Sequence, residues 1–243
     1  MLCTIVGVGE GVGAALARQF ATNGYQVALI ARTDRVTRPL SERLEGEGWR
    51  AAPFIANAGD VSAMDQAFLA IKEWGGDADV LIYNAAVMRP GMASEMTAEN
   101  VLGDMTTNLG GAICAVGSTI DAMKIRRRGS ILLTGGGLAL EPYPQWTSLA
   151  AGKAALRAYG LALHKEAAFH GVHVAVVAIC GIVKPGGLFD PQHIAEVYWK
   201  LHCEPEGSFT REIVLLPEGG DPYYNDPQGV YRAMSQPIKA GKL

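Results

Sequence analysis

The glycine-rich segment near the start of the chain constrains the fold more than any other part of the sequence. Residues 2–6 form a short apolar run, residues 7–13 read Gly-Val-Gly-Glu-Gly-Val-Gly, and residues 14–21 carry apolar side chains at helical spacing. This order predicts a strand, a tight turn and a helix. A turn without side chains lets backbone amides approach a pyrophosphate, and the N-terminus of the following helix adds unpaired N–H groups and a favourable dipole. The segment therefore predicts a dinucleotide site, with a glycine-rich turn that binds no ligand as the alternative.

The predicted contacts to the pyrophosphate lie in this turn and at the start of the first helix. They are Gly7, Glu10, Gly11, Val12 and Gly13. The spacing fits Gly-x-x-x-Gly-x-Gly, although Gly9 also allows the shifted pattern Gly-x-Gly-x-x-Gly.

Further apolar segments alternate with helical patterns along the chain. The predicted strands are residues 2–6, 26–31, 51–56, 80–83, 131–134, 172–179 and 212–216. Strands that alternate with helices form parallel sheets with right-handed crossovers. We therefore predict an α/β fold in a single domain, residues 1–243, with a doubly wound parallel sheet of about seven strands and helices on both faces. Residues 217–243 are rich in Gly, Pro, Asp and Tyr and are predicted to form a loop-like tail.

Composition and charge argue against several classes of protein. A net charge of −3 supplies no basic field for nucleic acid, and the basic run at residues 126–128 is interpreted as a solvated helix end, with a phosphate-binding patch as the alternative. The longest apolar stretch, residues 174–183, is too short to span a bilayer, so we expect no membrane anchor and no secretion. The cysteines lack paired spacing, which favours a reduced cytoplasmic location and predicts no metal site. They are Cys3, Cys114, Cys180 and Cys203.

Several motifs follow the predicted strands in a fixed order. They are Asp60-Val61 after the third strand, Asn84-Ala85 after the fourth, Asn108 in the next helix, Lys153 in a later helix, and Gly181 with Val183 after the sixth strand. Together with the glycine turn, this order resembles the short-chain dehydrogenase/reductase family over residues 2–216. The resemblance implies a Rossmann fold and a nicotinamide cofactor.

The resemblance also implies roles on the cofactor side of the site. It places Asp60 and Val61 at the adenine, Asn84 and Ala85 in a turn beside the cofactor, and Gly181 and Val183 at the nicotinamide amide. Two positions depart from the family pattern after the sixth strand, because Cys180 replaces a proline and Pro185 stands where threonine is common. Residues 57–59 spell part of the family's Asn-Ala-Gly turn, but they follow the third strand instead of the fourth.

Two hydroxyl groups of the family's catalytic site are missing. The family's tyrosine, four residues before the lysine, exchanges the proton, and a serine about thirteen residues earlier holds the substrate oxygen; these positions are Leu149 and Gly136 here. The resemblance leaves Asn108 and Lys153 as catalytic residues, with Lys153 also binding the nicotinamide ribose. Tyr143 on the preceding loop is the best candidate to replace the missing tyrosine as proton donor. The alternative is that its ring is an ordinary packed aromatic side chain.

The end of the second predicted strand indicates which cofactor is bound. A carboxylate there would bind a ribose diol and repel a 2'-phosphate, whereas this chain has Ala31 followed by Arg32, whose guanidinium suits phosphate oxygens. We therefore favour NADP(H) and keep NAD(H) as a possibility. The alternative for Arg32 is a solvent-facing side chain or a pair with Asp34.

These features predict an NADP(H)-dependent oxidoreductase that transfers hydride to a small carbonyl, imine or iminium, or conjugated substrate by an unusual proton route. The alternative is a catalytically silent NADP(H)-binding sensor or a subunit that supports an active partner. Residues 186–202 are interpreted as an apolar lid over the pocket or as a helix packed at the sheet edge. The expected partners are a small-molecule substrate and, by resemblance, further copies in a homodimer or homotetramer, with no nucleic acid and no membrane.

Overall fold

A parallel sheet of seven strands forms the centre of the computed structural model, which describes residues 1–216. The strands are β1 (Leu2–Val6), β2 (Gln26–Ala31), β3 (Ala51–Ile55), β4 (Val80–Tyr83), β5 (Gly129–Thr134), β6 (Val172–Ile179) and β7 (Glu212–Leu215). They lie in the order β3-β2-β1-β4-β5-β6-β7, and all neighbours pair in parallel. The predicted tail, residues 217–243, lies outside the described residues.

Helices cover both faces of this sheet. They are α1 (Val12–Thr22), α2 (Asp34–Gly46), α3 (Val61–Gly75), α4 (Ala98–Met105), α5 (Gly111–Gly117), α6 (Ile120–Arg126), α7 (Thr147–Ala168) and α8 (Pro191–His202). One core packs α1, α2 and α8 against the sheet, and a second core packs α3, α5 and α7 against the opposite face. The predicted doubly wound α/β fold is therefore confirmed.

The predicted strands are all present, with small differences at their ends. The largest difference is at β5, which begins at Gly129 instead of residue 131. Ser130 interrupts the apolar run in the sequence, but its side chain is buried and its Oγ lies 2.8 Å from Nδ1 of His202. A hydrogen bond inside the protein thus allows a polar residue to occupy a core strand. β3 and β7 each end one residue earlier than predicted.

The segment after β6 settles the two interpretations of residues 186–202. Helix α8 packs on α1 and buries Ile194, Tyr198 and Leu201, so the helix belongs to the core and the interpretation of the whole segment as a lid is wrong. Only the loop that precedes α8 faces the carboxyl edge of the sheet. The basic run at residues 126–128 ends α6, as interpreted, and Arg127 adopts a left-handed conformation there.

The strand order defines where a ligand can bind. Because all strands are parallel, their carboxyl ends meet at one edge. The chain runs outward from β1 through β2 to β3 and then crosses back to β4 on the other side of β1, so the strand order reverses between β1 and β4. A crevice at such a switch point is the usual ligand site of a doubly wound sheet. Among residues 1–216, no helix is both long and apolar enough to cross a membrane.

Candidate functional site

The turn after β1 has a shape that requires glycine at two positions. Gly7 has a φ of 89°, and a Cβ at this position would lie 2.4 Å from the backbone nitrogen of Ala85. A Cβ on Gly13 would lie 2.8 Å from Cα of Val8. These two glycines are therefore needed for close backbone packing, whereas a Cβ on Gly9 would have no neighbour within 4 Å. Gly9 instead borders open space.

The turn is held by the loop that follows β4. Asn84 donates from its backbone nitrogen to the carbonyl oxygen of Val6 and from its Nδ2 to the carbonyl oxygen of Gly7, each at 2.8 Å. The structure thus brings together Gly7, Asn84 and Ala85, which the sequence assigned to the same site. These contacts fix the backbone at the switch point between β1 and β4.

Helix α1 begins beside this turn without a side-chain cap. Gly11 precedes the helix, and no side chain accepts a hydrogen bond from its first turn. The exposed N-terminus can therefore offer N–H groups and a favourable dipole to an anion. Glu10 is exposed, and its carboxylate lies 3.9 Å from the guanidinium of Arg35. These features and the bare glycine backbone fit the diphosphate of a dinucleotide.

A cleft of about 310 Å³ extends from the glycine turn along the ends of β2, β3 and β4. Arg32 lines it and is exposed. Asp34 pairs with Arg38 at 2.8 Å, and within residues 1–216 no ion pair involves Arg32. The alternative pair between Arg32 and Asp34 is therefore wrong, and the guanidinium of Arg32 remains available to a ligand in the cleft.

Asp60 and Val61, which the resemblance places at the adenine, form the start of α3 in the structure. Asp60 caps α3, where its side chain accepts a hydrogen bond from the backbone nitrogen of Ala63 at 3.0 Å, and Val61 is 59% exposed in the first turn of that helix. Neither residue lines the cleft. Asn57 and Ala58 line it instead, because they come closer to the end of β3. The general rule that residues directly after a strand face the ligand could have identified them.

Asn108 binds the loop after β4 through its side-chain amide. It is 1% exposed and lies in a π-helical turn, Thr106–Gly110, between α4 and α5. Its Oδ1 accepts a hydrogen bond from the backbone nitrogen of Val87 at 2.7 Å, and its Nδ2 lies 3.4 Å from the carbonyl oxygen of Val87. Gly152 packs against it so closely that a Cβ there would lie 2.6 Å from Cβ of Asn108. Asn108 therefore joins the loop after β4 to α7.

Lys153 reaches from α7 to the carboxyl end of β5. The residue is 8% exposed, and its Nζ donates a hydrogen bond to the carbonyl oxygen of Thr134 at 2.6 Å. Burial lowers the pKa of the amine to about 8. Lys153 is therefore fixed at the same sheet edge as the glycine turn and titrates close to neutral pH.

The two positions that lack hydroxyls are differently packed. Gly136 adjoins Lys153, since a Cβ on Gly136 would lie 3.8 Å from Cγ of Lys153, and this is an ordinary contact distance. Leu149 is buried on α7. The neighbouring Ser148 does not replace the missing hydroxyl, because its Oγ donates to Oδ2 of Asp104 at 2.7 Å.

Asp104 connects Ser148 to an ion pair that the sequence analysis missed. Nε of Arg89 lies 3.0 Å from Oδ2 of Asp104, and Nη2 of Arg89 lies 3.0 Å from Oδ1, so the pair is bidentate. The hydrogen bond from Arg89 lowers the pKa of Asp104. The network ties α4 and α7 to the loop after β4.

Two tyrosines lie near the carboxyl edge of the sheet. Tyr143 is buried in the loop before α7, so its phenol is screened from bulk water. Tyr198 on α8 is also buried, and its hydroxyl lies 2.7 Å from Oγ1 of Thr134, the residue whose carbonyl binds Lys153. Burial raises the pKa of Tyr198, which makes it a poor acid near neutral pH. No local pattern in the sequence indicates this contact, because only the packing of α8 creates it.

The loop after β6 closes the site opposite the glycine turn. A Cβ on Gly11 would lie 3.9 Å from Cγ1 of Val183, so two residues assigned to the cofactor face each other. The ring of Phe189 covers Gly181, where a Cβ would lie 1.9 Å from a ring carbon. Val183 and Phe189 also form a parallel bridge. The loop is therefore folded against itself beside the N-terminus of α1.

The arrangement offers bare backbone and a helix N-terminus that suit a diphosphate, and it holds the amine of Lys153 at the same edge of the sheet. Among residues 1–216, no group of three His, Cys, Asp or Glu side chains could hold a metal ion.

Comparison with known proteins identifies the same architecture. A family model described as short chain dehydrogenase matches residues 2–188. Two curated relatives are 28% identical to the chain: a 2,3-dihydro-2,3-dihydroxybenzoate dehydrogenase of Bacillus subtilis, with 84% of this chain and 74% of the relative covered, and a 3-oxoacyl-[acyl-carrier-protein] reductase of Bos taurus, with 73% of each covered.

Two solved structures have the same fold as this chain. A metagenomic short-chain oxidoreductase in complex with NADP is 25% identical and superposes with a TM-score of 0.80, covering 88% of this chain and 96% of the other. An alcohol dehydrogenase from Thermococcus sibiricus, complexed with 5-hydroxy-NADP, is 22% identical with a TM-score of 0.79, covering 88% and 95%. The second likeness concerns the fold alone.

Proposed function

Because this chain belongs to the short-chain dehydrogenase family, we propose that it is an NADP(H)-dependent oxidoreductase that acts on a small carbonyl, imine or iminium, or conjugated substrate. The observation that carries the proposal is the position of Lys153. Its amine is held at the carboxyl end of β5, on the sheet edge where Gly11 and Val183 also face each other. A structural lysine gains nothing from burial, since removing the charge from water is unfavourable. A functional role accounts for that cost.

The choice of NADP(H) over NAD(H) depends on Arg32. Its guanidinium lines the cleft and has no ion-pair partner among the described residues. β2 ends at Ala31, so no carboxylate there repels a 2'-phosphate. Arg35 lies close enough to pair with Glu10, which reduces the repulsion that this carboxylate would exert on a phosphate. The related metagenomic oxidoreductase was solved with NADP, which supports the same choice. NAD(H) is the second candidate.

Different residues of this chain would bind different parts of the cofactor. The nicotinamide cofactor, when bound, supplies or accepts the hydride. Gly11 and its neighbours would bind the diphosphate, and Arg32 would bind the 2'-phosphate. Lys153 uses one N–H on Thr134. Its remaining N–H groups would hold the nicotinamide ribose and orient the reacting end.

The proton must follow a route different from the family's usual one, because residues 136 and 149 are glycine and leucine. An iminium substrate needs no proton donor, since hydride addition gives a neutral amine directly. A carbonyl would take its proton from water or from Tyr143, and a conjugated alkene from solvent. Leu149 supplies no proton in any of these cases.

One observation favours a second candidate function. Asn108 is engaged with Val87, and Ser148 with Asp104, so neither supplies a free group to replace the missing hydroxyls. A catalytically silent NADP(H)-binding sensor, or a subunit that supports an active partner, would need only the cofactor cleft.

We also propose a cytoplasmic homodimer or homotetramer. Helix α7 exposes a row of alanines, and α4 and α5 expose Leu102 and Ile113. Such surfaces suit close packing between helices of two copies. The alanines are Ala151, Ala154, Ala158 and Ala162.

The experiment that separates the two functions is a substrate panel. NADPH oxidation is followed by absorbance with uncharged ketones, cyclic iminium salts and conjugated enones, each with and without the protein. Oxidation that requires both the protein and an organic substrate supports the oxidoreductase. Tight NADPH binding with no turnover across the panel supports the silent protein instead.

A further inference from the structure

A second cavity, of about 510 Å³, lies at the amino edge of the sheet, the edge opposite the cofactor cleft. Its walls come from residues at or next to the starts of β2, β4, β5 and β6, from the end of α6, and from the segment that follows α8. We call it the amino-edge cavity. The proposed function uses none of the side chains that line it.

A chain of three polar side chains forms one wall of the amino-edge cavity. The hydroxyl of Tyr25 lies 2.6 Å from Nε2 of His202, and Oγ of Ser130 lies 2.8 Å from Nδ1 of the same ring. Tyr25 is 5% exposed and Ser130 is 3% exposed. Burial lowers the pKa of His202 to about 4, so its imidazole is neutral near neutral pH.

This chain carries one more proton than its own hydrogen bonds use. A neutral imidazole has one N–H and each hydroxyl has one O–H, which makes three protons for two hydrogen bonds. If Nδ1 of His202 is protonated, the proton of Ser130 is left over, and if Nε2 is protonated, that of Tyr25 is left over. Within residues 1–216 neither hydroxyl has a second hydrogen-bond partner. Because a buried donor without an acceptor is unfavourable, the wall favours an acceptor inside the cavity.

Three consecutive arginines, residues 126–128, line the same cavity. Arg126 donates from Nη2 to the carbonyl oxygen of Ala78 at 2.7 Å. Arg128 comes no closer than 3.5 Å to Oδ1 of Asp79, and its side chain is 71% exposed. Since a guanidinium has five N–H donors, most of the donors of these two side chains remain available to a ligand.

The backbone at Arg127 is held in an unfavourable conformation. Arg127 has a φ of 50°, and among residues 1–216 it is the one residue other than glycine with a positive φ. Glycine is the usual residue at such a helix end. Gly171 packs on this turn so closely that a Cβ there would lie 2.6 Å from the carbonyl oxygen of Arg127. An arginine kept at a position that suits glycine indicates a role for its side chain.

The acidic side chains of the cavity are already engaged. Oδ2 of Asp79 accepts a hydrogen bond from the backbone nitrogen of Leu2 at 2.9 Å. The two carboxylate oxygens of Glu204 accept from the backbone nitrogen and the hydroxyl of Thr210 at 2.6 and 2.8 Å. Glu206 lies 3.3 Å from the guanidinium of Arg127. The cavity is therefore rich in free donors and short of free acceptors, which suits an anion.

An aromatic pair gives the cavity room for more than an inorganic ion. The rings of His173 and Phe209 stack with their centroids 4.5 Å apart and their planes 4° apart, and both residues line the cavity. Flat apolar surfaces of this kind bind the organic part of a ligand.

We propose that the amino-edge cavity binds a small phosphate monoester, with the phosphate held by the arginines at residues 126–128 and by the free hydroxyl proton of Tyr25 or Ser130. The organic part lies along His173 and Phe209. A phosphate has three acceptor oxygens, so it can meet several guanidiniums and the hydroxyl together, whereas a carboxylate has two oxygens. The inference goes beyond the proposed function, because the site lies at the opposite edge of the sheet from the glycine turn.

The test is calorimetric titration of the full chain with phenyl phosphate, without NADPH and in a buffer free of phosphate. Arg127→Gly and Arg128→Gln should each weaken binding by about tenfold or more, because each removes charge-assisted hydrogen bonds. Arg127→Gly should also unfold at the same temperature as the parent or higher, since glycine accepts the left-handed conformation. Arg43→Gln is the matched control, because Arg43 is exposed in the last turn of α2 and does not line the cavity.

Two further measurements examine the hydroxyl chain and the ligand class. Tyr25→Phe combined with Ser130→Ala removes both hydroxyls and should also weaken binding of phenyl phosphate. The arginine variants decide the proposal on their own if this double variant does not fold. Benzoate should bind the parent at least tenfold more weakly than phenyl phosphate does.

Several results would overturn the proposal. They are a folded parent that does not bind phenyl phosphate, equal binding by the parent and both arginine variants, and benzoate that binds as tightly as phenyl phosphate. Binding that is lost in Arg32→Ala but kept in Arg127→Gly would place the anion in the cofactor cleft and also contradict it. Failure of the proposed function is seen separately, as NADPH that does not bind or is not consumed.

Discussion

The side-chain amine of Lys153 donates a hydrogen bond to the backbone carbonyl oxygen of Thr134 at 2.6 Å. This contact spans from α7 to the end of β5 and replaces part of the hydration that the buried amine loses. The replacement is incomplete, because burial still lowers the pKa of Lys153 to about 8. A lowered lysine pKa means that the charged form is less favourable in the folded protein than in the unfolded chain.

The substitution Lys153→Met should therefore stabilise the protein near neutral pH. The penalty of burying the ammonium is fully present below pH 8 and disappears as the pH rises toward 10.5, the ordinary value for lysine. The full difference corresponds to about 3 kcal/mol, reduced to about 2 kcal/mol by the unpaired carbonyl that the variant leaves. Urea unfolding of parent and variant at several pH values measures it.

The control is Lys165→Met, because Lys165 lies exposed near the end of the same helix. It should show no comparable gain. A Lys153→Met variant that is less stable than the parent at pH 7, with a gap that stays constant to pH 10.5, would contradict the burial cost. NADPH affinity should fall in Lys153→Met and not in the control, since the ribose contact is lost.

Gly7→Ala should destabilise the protein by more than about 2 kcal/mol, because alanine is strained at a φ of 89° and its Cβ would lie 2.4 Å from the backbone of Ala85. Gly9→Ala is the matched comparison, since its Cβ would meet nothing within 4 Å. Thermal unfolding should leave Gly9→Ala close to the parent. Equal stability of the two variants would show that the turn is not packed as described.

Arg32→Ala should weaken NADPH binding by about 1 to 3 kcal/mol and change NADH binding little, because a charge-assisted hydrogen bond to the 2'-phosphate is lost. Calorimetric titration of both cofactors measures the difference. Arg38→Ala is the control, since Arg38 is exposed and already paired with Asp34. Equal losses for NADPH and NADH in Arg32→Ala would show that this guanidinium does not select the cofactor.

The double substitution Gly136→Ser with Leu149→Tyr should raise NADPH-dependent reduction of activated ketones. General acid–base groups contribute on the order of 100-fold to 10,000-fold, and a tyrosine at 149 would stand one helical turn from Lys153. A serine fits at 136, where the nearest atoms to a new Cβ are 3.8 Å away. Leu149 is 5% exposed, so the larger phenol must find room among its neighbours.

Both single variants serve as controls, because each completes only half of the site. Folding and NADPH binding are checked first in all three proteins. Activity in the double variant no greater than in either single variant, together with a crystal structure in which the phenol points away from the cofactor cleft, would refute the assignment of residues 136 and 149.

The sheet could be predicted because apolar runs and glycine turns are local signals. Ser130 marks the limit of this approach: its hydroxyl is satisfied by His202, which is distant in sequence, so the start of β5 was not visible in the apolar pattern. Tertiary contacts of this kind override local patterning.

Some features of the site could likewise be predicted from local sequence, and others could not. Gly7, Gly11 and Lys153 are found where their motifs suggest, because a tight turn and a helical position depend on nearby residues. The sequence does not reveal the capping role of Asp60, since an aspartate before a helix can cap that helix as readily as it can bind a ligand. The link between Arg89, Asp104 and Ser148 depends on how three segments pack. No spacing in the sequence predicts it.

Transfer of deuterium from cofactor to substrate would demonstrate hydride transfer by this protein. NADPH labelled stereospecifically with deuterium at C4 of the nicotinamide, prepared separately for each face, is incubated with the protein and an uncharged ketone or iminium salt. Mass spectrometry of the product then locates the label. Deuterium should appear at the former carbonyl or imine carbon from one labelled face and not the other. NADPH that binds but transfers no label to any substrate from either face would contradict the proposed oxidoreductase and leave a dinucleotide-binding protein without hydride chemistry.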